Sequence, residues 1–240
     1  MNLRTIGLLA GMFAAIAAPA QAARLTHVVI LVRDVQAARR AFTDAGFKIQ
    51  PTTALSRGLV HAVIRFRDGT FLELIGALPH TPGAADLSNF VRFGDAVSGA
   101  GFEVSNVYAE RALLRARGFR IDSPQVSPHW VDLSFSEPAG ILEPFFLYQY
   151  RGDYAKRAAR MYTALALSQP DAAIGIRGID VAVEPGLHAA ATYAAAGLRG
   201  VTAIESGAGD ARIVLVRIAT FDPQRRGTTI VVDRCRIRFE

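Results

Sequence analysis

The sequence predicts an α+β fold made of repeated βαβββ units, in three copies. Three observations carry this. Apolar runs of period two, the mark of half-buried strands, repeatedly follow a segment of helical period. Three helix ends, Gly46-Phe47, Gly118-Phe119 and Gly197-Leu198, recur at intervals of 72 and 79 residues (118−46 and 197−118). With 240 residues, 51% of them hydrophobic and 20% charged, the chain suits one large or two small globular domains with a sizeable core.

Residues 1–22 read as a signal peptide rather than as part of the fold. Met1-Asn2-Leu3-Arg4 gives a positive start, Thr5 to Ala18 is apolar and uncharged, and Ala20-Gln21-Ala22 is a small-x-small cleavage site. The run is short for a spanning helix, and no cysteine follows it to take a lipid. The expectation is an exported, periplasmic protein that begins at Ala23 and keeps no membrane anchor after cleavage. Cys235 is the single cysteine, so no internal disulfide forms. Its place on the inner face of the last strand marks it as a small buried hydrophobe.

The first unit opens with a strand at Leu25 to Arg33. A helix from Val35 to Ala45 follows, with Asp34 able to cap it and Gly46 able to close it. Three strands come next, the last containing Thr70-Phe71-Leu72-Glu73-Leu74-Ile75. Strand parity assigns Val28, Ile30, Val32, Ala62, Ile64, Phe66, Leu72 and Leu74 to the helix side. His27, His61, Arg65 and Glu73 gather on the opposite face, and that polar face is the functional lead.

The second unit runs from a strand at Gly101 to Asn106, through a helix from Val107, to strands at Ile121–Val126, Trp130–Ser136 and Ile141–Tyr150. Trp130 and Asp132 alternate with core-facing Val131 and Leu133. They either line the second half of the site or form a buried Trp with a hydrogen-bonded Asp. In the third unit, Ile179–Val183 leads to a helix with Pro185 at its first position, then to strands at Val201–Glu205, Arg212–Thr220 and Thr228–Phe239. Between units lie a short amphipathic helix from about Leu87 to Val97 and a connecting helix within 151–173.

The formal charge of +6 comes almost entirely from arginine, since only Lys48 and Lys156 are lysines. The arginines are spread along the chain without interleaved aromatics, which argues against nucleic acid as a partner. Ser206-Gly207-Ala208-Gly209-Asp210 lacks a strand-to-helix setting and reads as a hairpin loop, so no nucleotide cofactor is expected. His80, His129 and His188 fall in solvated contexts.

The order of these motifs, from Leu25-Thr26-His27-Val28-Val29 through Gly46-Phe47 and a His61-bearing strand to Leu72-Glu73-Leu74-Ile75, resembles the glyoxalase-like domain of the vicinal oxygen chelate (glyoxalase/bleomycin resistance/dioxygenase) superfamily. Pro144-Phe145-Phe146 adds to the resemblance. It implies that residues 23–150 form a domain of two paired units, a cup-shaped mixed sheet with helices outside, followed by a third βαβββ-like unit over 174–240. It also implies a divalent metal held from first and last strands, at His27 and Glu73, with Glu73 as the proton-moving group and His61, Arg65, Trp130 and Asp132 around a small-molecule ligand. The second unit departs from the pattern. Gly99 stands opposite His27, and counting places Phe145 opposite Glu73, with Glu143 the nearby additional ligand if the segment is two residues shorter. Two functions stay open: a metal-dependent lyase, isomerase or dioxygenase acting on vicinal oxygens, and a non-catalytic small-molecule-binding or sequestering protein. Units of this kind pair in twos, so a homodimer through the apolar face of the third is expected.

Overall fold

The structure is a computed structural model that describes residues 23–240 except 93, 137–139, 155, 158–159, 161–168, 170–171, 208–210 and 233. The expected signal peptide over 1–22 and much of the expected connecting helix within 151–173 lie outside the described residues.

The first unit supplies β1 (Arg24–Leu31), α1 (Val35–Asp44), β2 (Thr53–Ala54), β3 (Leu59–Arg65) and β4 (Phe71–Ala77). After α2 (Pro82–Val91), the second supplies β5 (Ala96–Glu103), α3 (Val107–Ala116), β6 (Gln125–Val126), β7 (Trp130–Ser134) and β8 (Phe145–Tyr150). They form one eight-stranded sheet in the order β2-β3-β4-β1-β5-β8-β7-β6, joined where β1 and β5 run antiparallel. α1 and α3 each start on a side chain that caps their first turn. Asp34 accepts from the amides of Gln36 and Ala37 at 2.8 and 3.1 Å, and Asn106 accepts from Tyr108 and Ala109 at 3.0 Å each. Val35, Ala38 and Phe42 then lie on one buried stripe against Val28, Ile30, Leu72 and Leu74, all buried as parity requires.

Some boundaries move, each for a local reason. β8 starts at Phe145, because 141–144 form a turn that ends on Pro144, which has no amide to donate. The helix expected over 87–97 lies at 82–91, capped by Thr81 with Pro82 in its first turn. Between Ile121 and Val126 only a bridge at Ile121 and the two-residue β6 form.

The third unit keeps the order strand, helix, strands but pairs them differently. Its elements are β9 (Ala173–Val183), α4 (Ala189–Ala195), β10 (Val201–Glu205), β11 (Arg212–Thr220), β12 (Thr229–Val232) and β13 (Cys235–Phe239). Pro185 and Gly186 make a turn, and α4 begins only after His188. The sheet order is β10-β9-β11-β13-β12, with neighbours parallel, antiparallel, parallel and antiparallel. The run β4-β1-β5-β8-β7 of the first sheet has the same sequence of orientations. This C-terminal segment is therefore laid out like a shortened pair of units. β10 and β11 lie on opposite sides of β9, so they are not the paired strands that the expected hairpin at 206–210 would join; residues 208–210 lie outside the described residues.

The two sheets pack through their helix sides. Phe239 of β13 stacks on Phe47 at 6.2 Å, and Tyr193 of α4 meets Phe145 of β8 edge-on at 5.3 Å. One continuous hydrophobic cluster runs through both sheets. Cys235, Ile237 and Phe239 are buried in it. The apolar face on which the homodimer expectation rested is thus covered inside the chain.

Candidate functional site

The face of the first sheet turned away from the second is organised in cross-strand rows. One row reads Arg65, Phe71, His27, Gly101, Phe146, Ser134 across β3, β4, β1, β5, β8 and β7. The next reads Val63, Glu73, Val29, Gly99. His27, His61, Arg65 and Glu73 therefore share a face, as parity predicts, and β1 and β4 are direct neighbours.

His27 is aimed by a bulge. Leu25 pairs with Phe102 and His27 with Gly101, which leaves Thr26 as an extra residue on β1. Leu25 consequently joins the core while His27 turns to the cup. Thr26 is itself buried and its hydroxyl donates to the Gly101 carbonyl at 2.9 Å. With that proton committed, its oxygen accepts from Tyr148 at 3.0 Å and from Nδ1–H of His27 at 3.1 Å. The tautomer with Nδ1 protonated follows from this count of donors.

The His27 ring lies over Gly101, where any Cβ would collide with it. It stacks parallel on Phe71 at 4.5 Å, and Phe146 and Tyr148 meet it edge-on at 5.2 and 5.3 Å. It is 7% exposed. Burial, together with the nearby Arg65 cation and against the opposing pull of Glu73, lowers its pKa to about 4. His27 is thus neutral at physiological pH.

Glu73 does not pair with His27. Its Oε1 lies 2.6 Å from Nδ1 of His61, a diagonal cross-strand contact. Burial acts to raise the Glu73 pKa, but the hydrogen bond from His61 and the charges of His27, His61 and Arg65 together take it below the ordinary carboxylate range. Arg65 lies over the Phe71 ring at 4.9 Å, on the side of that row away from β1. The guanidinium and the imidazole of His27 thus both use Phe71.

Trp130 and Asp132 stand on the β7 side of the same face, opposite Tyr150 and Tyr148. Trp130 is partly exposed and not buried, and it hydrogen-bonds Asp132, whose pKa burial pushes up. Tyr150, Tyr154 and His129 continue this aromatic rim, with His129 stacked on Tyr154 at 4.5 Å. α2 lies over the other end, since Gly83 abuts the side chain of Leu59, which has the parity of His61. Glu143 sits exposed in the turn before β8, outside the strand that carries Phe146 and Tyr148, so the structure does not bring it to the site. The register also makes Phe146 the counterpart of Glu73: Gly101 pairs with Phe146 as Val29 pairs with Glu73. Counting residues from the helix caps arrived at Phe145, which faces the core.

These donors do not fit the metal site that the resemblance implies. The second unit offers Gly99 and Phe146, neither with a ligating atom in its side chain. His27 is enclosed by three aromatic rings, and Glu73 is engaged by His61. Among the described residues no three His, Cys, Asp or Glu side chains converge to hold an ion. What the face offers chemically is an aromatic floor with an ionised carboxylate, two imidazoles and a guanidinium along one side. A separate hollow of about 440 Å³ between α1 and the C-terminal sheet is lined by Ile30, Ala38, Phe42 and Cys235 among others. It opens from the opposite face of β1 and takes no part in this site.

Phe71, Phe146, Tyr148 and Thr26 were not singled out by the sequence. Parity with Glu73 points to Phe71, and alternation along 145–150 points to Phe146 and Tyr148. Nothing in the sequence signals a bulge at Thr26.

A family described as Glyoxalase-like domain matches residues 25–197. Among curated proteins none matches the chain. A solved structure of a hypothetical protein from Staphylococcus aureus has 11% identity and a TM-score of 0.68, covering 91% of this chain and 99% of that one. Methylmalonyl-CoA epimerase from Mycobacterium tuberculosis has 17% identity and a TM-score of 0.47, over 59% of this chain and 97% of its own. A Streptomyces coelicolor methylmalonyl-CoA epimerase has 19% identity and a TM-score of 0.43, over 55% and 99%. The Staphylococcus aureus likeness extends over both sheets and speaks to the fold alone.

Proposed function

The chain belongs to the glyoxalase-like domain family of the vicinal oxygen chelate superfamily, and from that premise we propose that it is an exported protein whose cup binds a small, partly aromatic organic molecule without a resident metal. The observation that carries this reading is the enclosure of His27 by Phe71, Phe146 and Tyr148. It gives the floor of the cup to aromatic surface where a metal reading needs open ligands. Tyr150 and Trp130 extend that surface to the rim, and Glu73, His61 and Arg65 supply polar contacts that orient a ligand.

The metal-dependent lyase, isomerase or dioxygenase reading rests on His27 and Glu73 sharing a face on adjacent strands. One experiment decides between them. The probe is 4-nitrocatechol, a planar ring with vicinal oxygens, titrated against the fluorescence of Trp130, the single tryptophan. Equal affinity with and without a strong chelator, on protein free of stoichiometric metal, supports the metal-free cup. Loss of binding in chelator overturns it. For export, N-terminal sequencing of protein from the cell envelope is expected to begin at Ala23, and an intact Met1 there would refute it.

A further inference from the structure

We infer that the hollow between α1 and the C-terminal sheet is a second binding site, independent of the cup, for an uncharged apolar molecule of one or two rings.

The hollow exists because α1 is cut back where α3 is not. Aligned on their caps, Asp34 and Asn106, the helices carry Ala38 and Ala41 in α1 against Glu110 and Leu113 in α3. Ala37, Ala38 and Ala41 line the space left between the helix and the β12–β13 end of the second sheet. The deeper walls are Ile30, Phe42, Val232 and Cys235, none of them more than 6% exposed. At about 440 Å³ the space is well beyond the roughly 150 Å³ in which an apolar protein cavity holds a benzene ring. It falls within the range of small-molecule sites.

The charge of the occupant follows from the mouth, where the described ionic groups are already matched. Asp34 Oδ1 accepts from the amides of Gln36 and Ala37. Asp95 Oδ1 accepts from the Arg33 amide at 2.9 Å, with Nε of the same arginine at 3.9 Å. A charged ligand would give up its water for apolar walls and engaged partners, at a net cost. An uncharged ring system removes those walls from water and is favoured. Cys235 belongs to the walls as a small hydrophobe with a polarizable sulfur. Its thiol also reports on the site, since an occupant of the hollow covers it. Ile30 faces the core side of β1 and His27 the cup side, so the two sites lie on opposite faces of one strand.

The test uses 6-propionyl-2-dimethylaminonaphthalene, an uncharged two-ring probe whose emission shifts to shorter wavelength in apolar surroundings. Saturable binding is expected. Ala41→Phe fills the hollow from an exposed helix position and should weaken that binding about 10-fold or more. Ala41→Ser leaves the space open and should bind as the parent does. Iodoacetamide is expected to reach Cys235 in the native protein, and saturating probe to slow that alkylation about 10-fold, since thiol reactivity follows access. 4-Nitrocatechol, the probe of the cup, should not displace the naphthalene. No saturable binding, equal binding in Ala41→Phe and Ala41→Ser, or displacement by 4-nitrocatechol overturns the inference. So does a thiol that the probe fails to protect or that iodoacetamide never reaches. Should circular dichroism show Ala41→Phe to be unfolded, the alkylation assay on the parent protein decides alone. The reading of the cup has its own probe and stands or falls without this one.

Discussion

The two sheets share strand orientations, yet matching rows on their outer faces are filled in opposite ways. In the first sheet the glycine is on β5, and His27 of β1 leans over Gly101. In the second the glycine is on β9, and Arg217 of β11 leans over Gly178. Gly99 and Gly101 carry no side chain on β5, so the His27 ring lies over Gly101 with Phe71 of β4 and Phe146 and Tyr148 of β8 packed against it. Leu215 and Arg217 occupy the corresponding places on β11. The Arg217 side chain pairs with Asp180 at 3.1 Å and donates to Thr202 at 3.0 Å, which closes the floor. Arg238, where the first sheet has Phe146, adds charge. One strand pattern thus makes an aromatic face or a charged one, according to which strand of the central pair gives up its side chains.

The largest expected effect is on pH dependence, and it belongs to the first face alone. Above pH 6.5 His27 is neutral folded and unfolded, so it contributes no slope. Below that, the unfolded chain binds the proton first, and folded His27 takes it up only near pH 4. Stability should therefore fall as pH drops through this window, by about 3 kcal/mol in total. Urea titrations across the window should show that fall, and His27→Phe should flatten it. An equal slope in both proteins would detach the effect from His27.

Next comes Gly101→Ala, whose new methyl meets a ring held by three others. A loss of about 2 kcal/mol is expected in chemical denaturation. In a His27→Ala background the same change should cost much less, so the double-mutant cycle isolates the contact between the two positions. Additive losses would mean that the ring is not the obstacle.

On the second face, Arg217→Met removes a partly exposed ion pair and should cost below about 1 kcal/mol. It should leave 4-nitrocatechol binding unchanged; a change would tie the two faces together. Smallest of all, Glu143→Gln should alter stability by less than about 0.5 kcal/mol, with no change in bound metal or ligand.

Much of the first face was legible because alternation is local. Val28, Ile30 and Val32 went to the core and His27, His61, Arg65 and Glu73 to the cup on parity alone. Partnership was harder to read. The contact from His61 to Glu73 is diagonal, and it depends on register and on side-chain reach, which parity does not encode. The same limit turned Phe146 into Phe145 as the counterpart of Glu73, because helix caps do not fix where a distant strand enters the sheet. In the C-terminal segment, element order was readable, but order does not say whether a strand adds to the left or the right of β9. The bulge at Thr26 had no sequence signal, since Thr suits a regular strand as well.

The stacking of Phe239 on Phe47 has a consequence for how the molecule acquires its shape. These rings are 192 residues apart (239−47), and they belong to the strand β13 and to the segment just after the first helix. While the chain is being made, the first sheet can pair its strands but must wait with its helix side bare. Non-local closure of this kind makes folding slow and prolongs the time for which apolar surface is exposed. A chain stopped at residue 150 would be caught in that waiting state. It should behave as a sticky intermediate in need of a chaperone, although every residue of the cup would already be present.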